Sequence, residues 1–157
     1  MSLKVKGTII QDLAKQVRAE KDKNWNDYLE PEDWEYINTG IMASQWYPDD
    51  FFYRLALAAF KISGGGSLDA SFAYGQLTAK NMAVIYKNMI VQGDPATTIE
   101  RFIDRRRSFF STDYKDAEKN RVEKGDGRVT VYTIADLKIR GTETADVLMY
   151  SILGTMH

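Results

Sequence analysis

Arg128-Val-Thr-Val-Tyr-Thr-Ile134 is the stretch that decides the fold class. It alternates side by side and is rich in β-branched residues, which pack well on a pleated surface and are slow to enter a helix. Lys124-Gly125-Asp126-Gly127 before it is a turn signal, so the polar 113–123 stretch is read as the antiparallel partner strand. A polar partner belongs at a solvent-facing sheet edge. Everything before Ser111 has the 3- and 4-residue apolar spacing of helices. The expected class is therefore α+β, with several helices packed on a small antiparallel sheet.

Working outward, the helices announce themselves by their breaks. Ile9, Ile10, Leu13, Ala14 and Val17 predict a helix over 8–20, with Thr8 as its N-cap. Pro31 and Pro48 are each followed by two acids, Glu32-Asp33 and Asp49-Asp50. Proline presets the first turn and the acids suit the positive end of a helix dipole. The helix after Pro48 runs to Gly64-Gly65-Gly66. A longer one is expected from Leu68 to Ile90, bent at Gly75, where small residues from Ala70 to Ala83 would admit a second backbone. Asp94-Pro95 caps the next, whose inner stripe is Ile99, Phe102, Ile103, Arg106 and Phe110. Gly141-Thr142 opens a last helix carried by Leu148, Met149, Ile152 and Leu153. No repeat or linker divides the chain, so residues 1–157 read as a single α+β domain.

Composition excludes more than it selects. Lys+Arg 21 against Asp+Glu 22 leaves net charge −1, so no overall field draws nucleic acid. No apolar run reaches the roughly 20 residues that cross a bilayer, and no secretory signal opens the chain, which makes the cytoplasm the expected location. The absence of Cys removes disulfides, thiolate catalysis and Cys-held metals. One His, at position 157, supports neither a Ser–His–Asp triad nor a multi-His metal site. No cofactor is expected.

Three features invite a chemical reading, each with a plainer one beside it. Gly64-Gly-Gly-Ser67 lacks the preceding strand and the Lys-Ser/Thr pair of a phosphate loop and reads as a helix break. Arg105-Arg106-Arg107, with Arg101 one turn earlier, is the most basic spot. Arg101 and Arg105 are its candidates for an anion site, whereas Glu100 and Asp104 suit an ordinary salt-bridged face. The third is the crowd of aromatics from Trp25 to Tyr53. It can be simple core, or an apolar pocket with indole and phenol donors at its rim. The pocket reading names Trp25, Trp46, Tyr47, Phe51, Leu55, Phe72, Tyr86 and Phe102 as lining.

Val5-Lys6-Gly7-Thr8-Ile9-Ile10, the helix after it, Trp25, and Ala43-Ser44-Gln45-Trp46-Tyr47-Pro48 resemble a bacterial family. That is the myxobacterial-type paralogous family of unknown function, itself similar to the group of heme–nitric-oxide-binding domains, 4-vinyl-reductase-type domains and transport-particle (TRAPP) subunits. The resemblance covers most of the chain in element order and is specific around the opening and Trp46-Tyr47-Pro48. It implies helices on a small antiparallel sheet, often around an apolar cavity, and frequent homodimers. The chain departs from the heme branch in having no internal His and from the acylated branch in having no Cys. It also stops at Met156-His157 where such domains usually add strand, and so reads as shortened, or as completed by a second copy. The expected function is a non-catalytic domain that binds or senses a small apolar ligand without heme and forms a homodimer. The alternatives are a dimeric assembly subunit without ligand and a cofactor-independent enzyme using, for example, Tyr47 with Asp50.

Overall fold

A computed structural model describes residues 3–111, 118–135 and 142–156. The class is α+β: six α-helices accompany two separate antiparallel two-stranded sheets among the described residues.

Strand β1 (Lys4–Lys6) pairs with β2 (Trp46–Pro48), setting Val5 opposite Tyr47. Alternation sends both of these inward, while Lys6 and Trp46 meet outside with the ammonium 5.3 Å from the indole ring. The other edge of β1 is taken by the 109–111 segment. Lys6 N donates to Phe109 O at 2.8 Å and Ser111 N to Lys4 O at 2.9 Å. Two distant parts of the chain are thus tied to its opening. Gly7 follows because nothing larger fits: a Cβ there would lie 2.1 Å from Met42 O.

Helix α1 (Gln11–Ala19) begins later than its sequence pattern suggests. Residues Gly7–Ile9 form a 3₁₀ turn, and Thr8 does not cap the helix; its Oγ1 donates to Ala43 O at 2.9 Å and ties the turn to the loop before β2. Trp25 opens a second 3₁₀ turn. Helix α2 (Pro31–Thr39) starts at its proline, with Glu30 and Asp33 in a reciprocal capping box. Helix α3 (Asp49–Ile62) starts after Pro48. It ends on glycines whose N–H groups are already used: Gly64 N donates to Ala59 O and Gly66 N to Phe60 O. That is a helix-terminating motif with Gly65 and Gly66 at positive φ, and it leaves those two donors none for a phosphate.

Helix α4 (Leu68–Ile85) is shorter than the expected run to Ile90. Met89 folds back under cover at 6% exposure, whereas Ile90 is exposed. Helix α5 (Pro95–Arg107) has the expected cap, Asp94 Oδ1 accepting from Thr97 N at 3.0 Å. Strands β3 (Glu118–Gly125) and β4 (Arg128–Ala135) form the expected hairpin, turning at Asp126-Gly127. The 113–117 part of the expected partner strand, Gly141 and His157 lie outside the described residues.

Helix α6 (Thr142–Met156) crosses α4 closely. Cβ atoms added at Gly75 and Gly154 would each fall 1.9 Å from a backbone oxygen of the facing helix, Ser151 O and Phe72 O respectively. The backbone contact that the small residues of α4 promised is made here within the chain. It also resets the inner face of α6. Ala145, Val147 and Gly154 are buried, and Leu153, expected inside, is half exposed.

Candidate functional site: an apolar cleft with an arginine groove

The core and the hollow part of the molecule adjoin, sharing Leu13, Ala59, Phe109 and Phe110 at their boundary. Trp25, Phe51, Ile10, Ile37, Leu55, Val5 and Val17 are the largest apolar side chains shut off from solvent, and they fill the space between β1, α1, α2 and α3. Trp25 Nε1 donates to Glu20 O at 2.7 Å, so its indole N–H is used inside the fold. The Tyr47 hydroxyl accepts from Met42 N at 2.9 Å, and its ring stands edge-on to Tyr36 at 5.5 Å. Four of the eight expected lining residues, Trp25, Tyr47, Phe51 and Leu55, are therefore buried in the core and line neither the cleft between α4, α5 and α6 nor the hollow beside α1 and α3. Trp46 is on the surface at 41% exposure. Phe72 sits at the α4–α6 crossing, its backbone against Gly154. Tyr86 and Phe102 are the two that reach a cavity.

That cavity is a cleft of about 200 Å³ between α4, α5, α6 and the segment just before α1. Phe52, Met82, Phe102, Phe109, Leu148 and Ile152 give it apolar walls. Polar groups are the minority: Tyr74, Thr78 and Asn81 on α4, Ser151 and Thr155 on α6, Thr8 and Asp12 around the start of α1, and Arg106 on α5. A second hollow of about 230 Å³ opens between α1, α3, α4 and α6. Phe52, Tyr74, Leu148 and Ser151 line both and form the partition. Burial pushes the Tyr74 phenol up to about 12, with the Asp12 carboxylate adding to the effect. A phenol so held is a neutral hydrogen-bonding group, unfit as a base.

The sequence singles out neither Tyr74 nor Met82 as a site residue, leaves Phe52 outside the eight expected lining residues, and gives Ile152 only as part of an apolar stripe. A signal was present. Tyr74, Thr78, Asn81, Met82 and Ile85 fall on one face of α4 and mix aromatic, hydroxyl, amide and aliphatic groups. A face that only packs is more uniformly apolar.

The two anion candidates do come together. Arg101 and Arg105 line an open groove with Ile85, Tyr86, Lys87 and Asp104. The Arg105 guanidinium stacks on Tyr86 at 3.9 Å and lies 5.5 Å from the Phe109 ring. Arg101 Nη1 donates to the Asn88 carbonyl. Among the described residues no group of three or more His, Cys, Asp or Glu is arranged to hold a metal ion, and no helix is long and apolar enough to cross a membrane. Comparison with known proteins finds no matching family model, no matching curated protein and no matching solved structure.

Proposed function

We propose that this chain is a non-catalytic binding or sensing domain for a small apolar ligand held in the cleft between α4, α5 and α6. The observation that carries the reading is the cleft itself. It is apolar-walled, bounded chiefly by α4, α5 and α6, and furnished with a few polar groups that can orient a ligand. Its size suits a compact molecule, since an apolar cavity of about 150 Å³ already holds benzene. The resemblance to the heme–nitric-oxide-binding and transport-particle group points the same way, with the absence of an internal His arguing against heme. Extraction of the purified protein followed by mass spectrometry tests it. A stoichiometric apolar compound is expected, and its loss on Ile152→Trp, which fills the cleft. Protein that carries nothing and takes up no apolar compound would end this reading.

A dimeric assembly subunit is the second reading, and one observation favours it. Leu77, Val84 and Ile85 on α4 and Leu153 on α6 are at least half exposed, an apolar surface that a second copy could cover. Sedimentation equilibrium decides: a monomer at high concentration argues against it.

A further inference from the structure

We infer that the ligand of the cleft is a compact amphiphile with one carboxylate, its apolar body between α4, α5 and α6 and its carboxylate in the neighbouring groove on Arg105 and Arg101. The inference rests on the cleft reading above and specifies the chemical class it takes.

Four observations carry it. First, Ile85 and Tyr86 line both the cleft and the groove, so the two open onto each other across the end of α4. Second, Arg105 is held at that junction by stacking on Tyr86 and by Phe109, which also lines the cleft. A stacked guanidinium has lost little freedom still to lose on binding, and its planar fork matches a carboxylate. Third, Arg105 Nε is the one buried side-chain nitrogen or oxygen without a hydrogen-bond partner among the described residues. A buried N–H without an acceptor is costly, and a ligand oxygen seated beside Tyr86 would supply one. Fourth, the groove sets Lys87, Arg101 and Arg105 against one acid, Asp104, which Arg107 draws off at 3.6 Å. An anion is favoured at the mouth of a cleft whose walls favour hydrocarbon.

A matched pair of probes, 4-phenylbutyrate and 4-phenylbutanol, separates the head from the body. Their affinities are measured by ligand-observed NMR on the full chain, its variants R105Q, R105K and R101Q, and the cleft-filling I152W. The acid is expected to bind at least tenfold more tightly than the alcohol. R105Q should bring the acid's affinity down to about that of the alcohol in the same variant, collapsing the ratio, and R105K should restore part of it. R101Q, at an exposed position, should reduce the ratio and serves if R105Q fails to fold. Equal binding of acid and alcohol, unaffected by R105Q and R101Q, overturns the carboxylate assignment and leaves the cleft reading standing. Failure of both probes to bind, or binding undiminished in I152W, overturns the cleft reading and this inference with it.

Discussion

Arg54 and Asp33 show how one residue pair can decide more than its sequence position suggests. Asp33 follows Pro31 and looks like a first-turn acid placed for the helix dipole. Its carboxylate is instead fully buried, taking Arg54 Nε and Nη2 at 2.8 and 2.7 Å and the Glu30 N–H at 2.9 Å. Asp33 Oδ2 thus caps α2 and docks it on α3 at once. Removing one partner of such a pair strands the other, at about 3–5 kcal/mol for a buried charge. Arg54 is one-third exposed, so R54A, which leaves Asp33 shut in, is expected to cost more than D33A measured against R54A as background. Urea unfolding of the two single variants and the double variant checks this. Near-additive effects would show that the pair is not coupled. Tyr74 belongs to the same scale. Its phenol titrates near 12 in the folded state against about 10 when unfolded, so its contribution is fully present below pH 10 and fades as pH rises toward 12. The alkaline loss of stability should run at up to about 1.4 kcal/mol per pH unit from this group. Y74F is expected to flatten that slope; identical slopes in the two proteins would refute the placement of the phenol.

At the scale of the element, the α4–α6 crossing is the clearest case of sequence meaning one thing locally and another in context. An exposed helix glycine replaced by alanine gains up to about 1 kcal/mol. At Gly75 the new Cβ would sit 1.9 Å from Ser151 O, so the helices must separate, and overpacking of this kind costs about 1–3 kcal/mol. G75A and G154A are therefore expected to destabilise, while A73L on the exposed side of α4 should stay within about 0.5 kcal/mol. Thermal unfolding gives the sign directly. The helix starts at Pro31, Pro48 and Asp94-Pro95 and the turn at Asp126-Gly127 were legible because capping and turn chemistry act over four residues or fewer. The end of α4 was not. Met82, Tyr86, Met89 and Ile90 keep helical spacing past the point where the helix stops, because Met89 is buried by packing and not by continuation of the helix.

Across the whole molecule, a tightly packed core adjoins a hollow region with which it shares Leu13, Ala59, Phe109 and Phe110. The aromatics from Trp25 to Tyr53 mostly close the core around β1 and α1 to α3, and the cleft forms where α4, α5 and α6 meet. Phe52 alone among the nine takes part in the cleft, sharing its T-shaped contact with Phe110. A ligand that binds only the folded chain stabilises it by mass action, by about 2.7 kcal/mol at a hundredfold excess over Kd. A compact apolar acid is accordingly expected to raise the midpoint of thermal unfolding, and I152W should remove the shift. A shift retained in I152W would place the binding elsewhere.

The chain itself determined what is local: the alternation of Arg128 to Ile134, the prolines and caps that start helices, and the absence of Cys and of any His before position 157, which removes thiolate and imidazole chemistry. The tertiary structure decided which aromatics fill space and which surround it, and which small residues touch another backbone. Period and composition report how apolar a face is. Whether a Trp or a Tyr lines a void depends on the helix that does or does not arrive opposite it, and here the arriving helix, α6, begins more than fifty residues beyond α4.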